Sequence, residues 1–298
     1  MFVIYQTLLT KQTVIVRFAV LVSLFAFGDG FWFRSPRQLE HSPFLPEFVL
    51  LKWGVFSKTG WVSVRRDDVN HGFLCRSKIE SFAWITHRLS EGEVLSSAAA
   101  NKLGVELNRL LHETCFSGVE LDIEPIPSGS QWLKGFLREI RAKLKAEYRL
   151  HAAIPPVSSE NWVGLTWKEQ EALSVLEEID GVDLMLYDTG AANEKKYIDL
   201  LHENFRFAKK AMSQFSNKKM VLGFAAYKDK TKKHRLTVEN LKIALKALKE
   251  FPDSKNLLCH PLSLRVVYYA GWTMDGEDVK VAHQLIQWRK TLCGGKDV

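Results

Sequence analysis

The sequence lacks the common patterns that hold metal ions or phosphorylated cofactors. Its four cysteines lie far apart, so no CxxC pair occurs, and neither an HExxH helix nor a histidine cluster is present. The glycine-rich patterns GxGxxG and GxxxxGK, which bind dinucleotides and nucleotide phosphates, are also absent. These absences argue against a metal site and a nucleotide-binding fold, and we expect neither a metal nor a cofactor.

The sequence also lacks the features of disordered chains and of nucleic-acid-binding proteins. With 298 residues, 46% of them hydrophobic, the chain is long enough to bury a sizeable core. The formal charge of +7 is modest and spread out, and aromatic residues are not interleaved with the basic ones. We therefore expect no nucleic-acid partner. The one basic run, residues 228–235, is either a solvated loop or a surface that attracts an anionic glycan.

The N-terminal residues 1–30 have the layout of a targeting segment. Lys11 and Arg17 precede the uncharged and mostly apolar residues 18–27, and Ala26 and Gly28 are small residues at the spacing of a signal-peptidase site. The apolar run is short for a membrane span, which needs about 20 residues. The segment is thus a cleavable signal peptide or an uncleaved anchor, which would be the only link to a membrane. Both predict an exported protein, whether periplasmic, extracellular or membrane-anchored.

The cysteines bear on the same question of compartment. Cys115 directly precedes a segment rich in acids, and we interpret it as a buried small apolar residue. A disulfide is the alternative if the protein is exported, because disulfides persist in oxidising compartments. The pairing of the cysteines cannot be read from the sequence.

Predicted strands and helices alternate from residue 79 to the C-terminus, in units of roughly 35 residues. This alternation is typical of right-handed βαβ crossovers and a parallel sheet. Residues 31–298 are close to the roughly 250 residues of one (β/α)8 barrel, the TIM-type α/β fold, so we predict a single barrel domain. An open doubly wound sheet is the alternative. Residues 31–46 look like an extended lead-in, and we expect the N-terminal strands to be incomplete or irregular.

One short segment, residues 116–125, is unusual for a parallel strand. Glu120, Asp122 and Glu124 alternate there with aliphatic residues, and because side chains on a strand alternate faces, the three carboxylates share one face. Pro125 cannot donate a ladder hydrogen bond, so the strand should end at Glu124. The simple explanation is the wet face of an antiparallel strand. In a parallel barrel, the three acids instead indicate the interior and its mouth.

Other strand ends predict what would meet these acids, because the carboxyl ends of barrel strands carry the chemistry. One strand places Met185 and Tyr187 on one face and is followed by Asp188, and two later strands end at Tyr227 and Trp272. Aromatic rings suit the flat faces of sugars, and carboxylates supply acid–base groups, so this convergence predicts a carbohydrate site. Core packing is the alternative for Met185, Tyr227 and Trp272.

These segments resemble the motifs of family-18 glycoside hydrolases, the chitinase and endo-β-N-acetylglucosaminidase barrels. The fourth strand of that family carries Asp-Gly-x-Asp-x-Asp-x-Glu, and residues 117–124 read Ser-Gly-Val-Glu-Leu-Asp-Ile-Glu. The sixth strand ends Met-x-Tyr-Asp, which residues 185–188 match, and the seventh reads Gly-x-x-x-Tyr, which residues 223–227 match. The eighth ends in a tryptophan, matched by Trp272.

The resemblance implies a retaining hydrolase of N-acetylhexosamine-containing glycans, such as chitooligosaccharides or a cell-wall-like polymer, in which the substrate's own acetamido oxygen is the nucleophile. It gives Glu124 the role of general acid and base and Asp122 that of holding the acetamido N–H. Tyr187 and Asp188 would orient the acetamido group. The other residues expected to bind substrate are Glu120, Met185, Tyr227 and Trp272, the last by stacking under the sugar.

Two departures from the family motif leave a second function open. Ser117 and Glu120 stand where the family has aspartate. We expect the longer Glu120 side chain to displace Asp122 by about one carbon–carbon bond, and a small misplacement can cost about a hundredfold in rate. The alternative function is therefore a catalytically weak or inactive barrel that binds glycan as a lectin does. Glu124 favours the enzyme, because family members that lose this acid take the lectin route.

Overall fold

The computed structural model describes most of the chain from Asp29 onward, namely residues 29–33, 48–64, 74–76, 79–160, 162, 165–228, 234–260, 264–269 and 274–294. Apart from Asp29 and Gly30, the predicted targeting segment lies outside the described residues. So do Trp272 and residues 229–233 of the basic run. Within the described ranges, no helix is long and apolar enough to cross a membrane.

Strands and helices alternate along the described chain as predicted. The strands are β1 (Asp29–Phe33), β2 (Phe48–Phe56), β3 (Val62–Val64), β4 (Glu80–Arg88), β5 (Gly118–Glu124), β6 (Arg149–Ile154), β7 (Gly181–Leu186), β8 (Lys219–Ala225) and β9 (Leu264–Tyr269). The helices are α1 (Ser97–His112), α2 (Gln131–Lys143), α3 (Glu169–Glu178), α4 (Glu194–Gln214), α5 (Leu241–Glu250), α6 (Ser254–Leu258) and α7 (Gly276–Leu292).

Eight parallel strands form a ring. β1 pairs in parallel with β9 on one side and with β2 on the other, and β4 to β8 complete the order between them. From β4 onward, each strand is joined to the next through at least one helix, as parallel pairing requires. The predicted (β/α)8 barrel is confirmed, and the chain does not form the open doubly wound sheet.

The irregularity expected at the N-terminal strands is present. The pairing of β2 with β4 shifts register between Lys52 and Gly54, and β3 pairs antiparallel with β2 outside the ring. The expected lead-in is wrong at its start, because residues 31–33 belong to β1. The strand begins at Asp29, within the Gly-Asp-Gly run of residues 28–30 that the sequence analysis assigns to the end of the targeting segment.

The alternation along β5 divides its side chains between two cores. Val119, Leu121 and Ile123 join the outer core between the strands and the helices. Glu120 and Asp122 are buried on the opposite face, inside the barrel. The acidic face is therefore the interior face of a parallel strand, and the wet antiparallel face is wrong. The apolar part of the interior consists of Phe48, Leu50, Phe82, Trp84, Val221 and Val267.

Capping side chains and apolar stripes hold the outer helices in place. The Ser96 hydroxyl accepts the Ala99 N–H at 3.1 Å at the start of α1, and Asn193 and Asn240 cap α4 and α5 in the same way. Each cap satisfies an N–H of the first turn that has no partner within the helix. The apolar stripe of α1, at three- and four-residue spacing, is buried and includes Leu103, Leu107, Leu110 and Leu111.

Two disulfides tie peripheral segments together. Cys75 is bonded to Cys115 ahead of β5, and Cys259 at the end of α6 is bonded to Cys293 at the end of α7. The interpretation of Cys115 as a buried free residue is wrong, because its side chain is exposed and bonded. It lies in the turn between α1 and β5 rather than in the strand, and the strand's face alternation does not reach it.

Candidate active site

A pocket of about 520 Å³ opens at the carboxyl ends of the barrel strands. This is the end at which (β/α)8 enzymes carry their active sites. The lining comes from the ends of β4 to β7 and β9 and the loops that follow them. The lining residues are Arg88, Asp122, Glu124, Pro125, Pro155, Pro156, Leu165, Met185, Tyr187, Asp188 and Tyr269.

The three acids of β5 lie at three depths. Glu120 is fully buried, Asp122 is 8% exposed, and Glu124 is exposed as the last residue of the strand. The Trp84 indole N–H donates to Asp122 Oδ2 at 3.0 Å. The other oxygen, Oδ1, is buried and has no hydrogen-bond partner among the described residues. One oxygen of Asp122 is therefore hydrogen-bonded to Trp84 of β4, and the other is able to accept a hydrogen bond from the N–H group of a ligand.

Burial sets the ionisation of Asp122. It raises the pKa of this carboxyl to about 6, although the Trp84 hydrogen bond and the positive charge of Lys52 both act to lower it. The Lys52 amino group lies over the Trp84 ring, 5.1 Å from its centroid. Lysine, tryptophan and aspartate thus form a line across β2, β4 and β5, and Asp122 carries its charge only above about pH 6.

This buried carboxyl predicts a pH dependence of stability. The folded protein binds the Asp122 proton more tightly than the unfolded chain, so stability falls as the pH rises from about 4 to about 6. Asp122→Asn does not titrate. Relative to that of the parent protein, the free energy of unfolding of the variant should therefore rise by up to about 3 kcal/mol between pH 4 and pH 7. Urea unfolding at several pH values measures the difference, and parallel curves for the two proteins would contradict the prediction.

Three tyrosines form one wall of the site. The rings of Tyr187 and Tyr269 stack with their centroids 4.4 Å apart, and Tyr227 meets both rings edge-on. Burial raises the pKa of Tyr187 well above its usual range, with further contributions from Tyr269, Asp122 and Glu124. Tyr187 therefore keeps its hydroxyl proton and is able to donate a hydrogen bond.

Asp188 is held in a fixed turn. Its backbone has a φ of 54°, which few residues other than glycine adopt, and the Tyr227 hydroxyl donates to its Oδ1 at 2.6 Å. The buried Glu239 accepts the Thr189 and Ala191 N–H groups just beyond it and fixes the following backbone. Ligand atoms of Asp188, His234 and Glu239 lie within 4.8 Å of one another, a spacing open to a metal. The hydrogen bonds to both carboxylates already account for the arrangement.

The structure brings most of the predicted site residues to one place. Glu124, Asp122, Tyr187, Asp188 and Met185 line the pocket. Of the other predicted residues, Glu120 lies beneath the pocket, and Tyr227 donates a hydrogen bond to Asp188 in its lining. Trp272 lies outside the described residues.

Three residues of the site were missed from the sequence. Tyr269 lies on the strand that was predicted to end at Trp272 but was not assigned to the site, and Arg88 and Trp84 were not assigned to it either. The signal that would have found the last two is the alternation of β4, which puts even-numbered positions on the inner face.

Comparison with known proteins shows a similarity of fold. No protein-family model matches the chain, and no curated protein matches it either. The structure is similar to a chitinase from Chromobacterium violaceum, with a TM-score of 0.59 and 13% identity over 87% of this chain and 98% of that one. It is also similar to the spore cortex-lytic enzyme SleL of Bacillus cereus, with a TM-score of 0.60 and 12% identity over 87% of this chain and 74% of that one.

A chitinase from Bacteroides thetaiotaomicron gives a TM-score of 0.59 at 11% identity, over 91% of this chain and 98% of that one. At such low identity these likenesses show that the chain has the barrel fold found in chitinase-like glycoside hydrolases.

Proposed function

We propose that the protein is a retaining glycoside hydrolase that acts on N-acetylhexosamine-containing glycans, with Glu124 as the acid and base. The observation that carries the proposal is the meeting of Asp122, Glu124, Tyr187 and Asp188 in one pocket. They come from β5 and from the two residues that directly follow β7, at the end of a chitinase-like barrel where such enzymes do their chemistry. Packing alone does not require three acids and a tyrosine at an open mouth.

The proposed chemistry uses the substrate's acetamido group as nucleophile. Glu124, exposed at the mouth, donates a proton to the leaving glycosidic oxygen while the acetamido oxygen attacks C1 and the C1–O bond breaks. The resulting positively charged ring is stabilised by Asp122, whose Oδ1 accepts the acetamido N–H. Glu124, now a carboxylate, takes a proton from the water that opens the ring. Two displacements at C1 retain its configuration.

Tyr187 and Asp188 orient the acetamido group in this scheme. Tyr187 donates a hydrogen bond from its hydroxyl group, which stays protonated because its pKa is raised. Asp188 is fixed by the Tyr227 hydroxyl and by the turn that Glu239 secures. Precise orientation matters because a near-attack geometry of the reacting atoms supplies a large part of the rate.

Export is the second part of the proposal. Two disulfides support an oxidising compartment, since cytosolic proteins rarely keep them. The layout of residues 1–30 supports delivery by a signal peptide or an anchor.

Product analysis tests the proposed function. The purified protein is incubated with chitooligosaccharides and with peptidoglycan fragments, and the products are identified by mass spectrometry. We expect shorter oligosaccharides from at least one of the two. Binding of a glycan without any cleavage would instead favour the lectin-like barrel.

A further inference from the structure

Arg88 is a cation in a pocket otherwise lined by acids and uncharged residues. It is the last residue of β4, and the even positions of this strand face the barrel interior, as Phe82 and Trp84 do. In the parallel pairing of β4 with β5, its register partner is Glu124. Neighbouring strands lie about 4.8 Å apart, so Arg88 stands next to the proposed acid.

The backbone around Arg88 is fixed on both sides. The Leu89 N–H donates to the Glu124 carbonyl at 2.7 Å. On the other side, the His87 ring contacts the Phe56 carbonyl at 2.7 Å and a Glu93 oxygen at 3.0 Å. The arginine therefore extends from a rigid strand end, an arrangement that lowers the entropic cost of binding a ligand.

The guanidinium of Arg88 is not used by the described part of the protein. Its side chain is exposed, and it makes no hydrogen bond or ion pair with any described residue, Glu124 included. Arg109 and Arg149, by contrast, form ion pairs with Glu106 and Glu80. A tight pair with Glu124 would favour its ionised form and hinder its action as an acid. The free fork beside the acid thus has donors to offer to a ligand.

We propose that Arg88 selects glycans that carry a carboxylate close to the bond to be cleaved. This inference rests on the proposed function and names its substrate class. The planar guanidinium offers two parallel N–H donors that match a carboxylate, and such charge-assisted pairs are stronger than neutral hydrogen bonds. Two sources supply this chemistry on N-acetylhexosamine glycans, a lactyl ether on the sugar ring and a neighbouring uronic acid.

Calorimetry on the full chain carrying Glu124→Gln tests the proposal without consuming the ligand. The ligands are chitotetraose, a tetrasaccharide with lactyl-ether carboxylates on alternate sugars, and one with alternating uronic acids. Each acidic ligand has a counterpart whose carboxylates are reduced to alcohols. We expect one acidic ligand to bind about tenfold to a hundredfold more tightly than its reduced counterpart. Which of the two does so identifies the source of the carboxylate.

Adding Arg88→Gln should remove this preference, so that each acidic ligand binds no more tightly than its reduced counterpart. Arg88→Lys should keep part of it, because the charge remains while the fork is lost. Arg138→Gln is the matched control, since Arg138 is an exposed arginine on α2 far from the pocket lining. Equal binding of acidic and reduced ligands, a preference that survives Arg88→Gln, or no binding of any tetrasaccharide would each overturn the proposal.

Hydrolysis by the parent protein is measured separately, so the two proposals fail in different ways. Cleavage of chitotetraose without any carboxylate preference would refute the role of Arg88 and leave the hydrolase intact. An Arg88-dependent preference without cleavage of any ligand would refute the hydrolase and leave the role of Arg88 intact.

Discussion

Glu124→Gln is expected to lower turnover of N-acetylhexosamine glycans by about 10²–10⁴-fold, the usual contribution of general acid–base catalysis. Glutamine keeps the size of the side chain but has no proton to give to the leaving oxygen. Because Glu124 is exposed at the end of β5, the change should disturb neither the strand nor the interior of the barrel. Initial rates over a range of substrate concentrations separate the expected fall in kcat from binding, which should change little.

The matched control is Glu147→Gln. Glu147 is an exposed acid in the turn before β6 that interacts only with its sequence neighbours Lys145 and Tyr148 among the described residues, and its change should leave turnover unaltered. Unchanged turnover in Glu124→Gln would assign the acid role to another residue. An equal loss in the control would point to a general effect of the lost charge.

A large effect on stability is expected from a pair inside the barrel, His151 and Asp183. Both are at most 1% exposed, and His151 Nδ1 lies 3.0 Å from Asp183 Oδ1. The His151 ring packs against Phe82, with centroids 4.4 Å apart, so the surroundings offer little to replace either partner. His151→Leu leaves the Asp183 carboxyl buried without its partner. We expect the free energy of unfolding to fall by about 3–5 kcal/mol, as when other buried pairs are broken.

The double variant His151→Leu/Asp183→Val tests whether the loss of stability comes from the unpaired carboxyl of Asp183. With both polar groups gone, no unpaired group remains, and replacing a buried pair with apolar residues is often neutral or stabilising. The double variant should therefore be more stable than His151→Leu alone. His112→Leu, an exposed histidine in the last turn of α1, is the control and should change stability by less than about 0.5 kcal/mol. Urea unfolding that finds the double variant no better than the single one would contradict this account.

Much of the fold was predictable because its signal is repeated. From residue 79 onward, apolar periodicity changes regularly between strand and helix, and each predicted strand and helix is present. β1 was not predicted because the Gly-Asp-Gly run at its start was assigned to the end of the targeting segment. The pairing of Cys75 with Cys115 escaped for another reason, since it depends on where residues 74–76 lie in space.

The residues of the site likewise fall into those that could be predicted from the sequence and those that could not. Asp122, Glu124 and residues 185–188 were predictable because each lies at a strand end within a short motif of its own strand. Trp84 and Arg88 depend on the pairing of β4 with β5, which places Thr86 opposite Asp122 and Arg88 opposite Glu124. The alternation of β4 indicates that Trp84 and Arg88 share a face, but no motif on this strand shows which residues of β5 they meet. The depth of Asp122, which sets its pKa, likewise follows from packing across the barrel rather than from its neighbours in sequence.

The most direct test of the central claim is the anomeric form of the first product, followed by proton NMR during the earliest stage of hydrolysis. A β-linked N-acetylglucosamine oligosaccharide is compared with one that carries a hydroxyl in place of the acetamido group at the reacting sugar. The account predicts that the new reducing end appears first as the β anomer and that the hydroxyl substrate is not cleaved. An α anomer formed first, or equal cleavage of the two substrates, would contradict substrate-assisted catalysis with Glu124 as the acid.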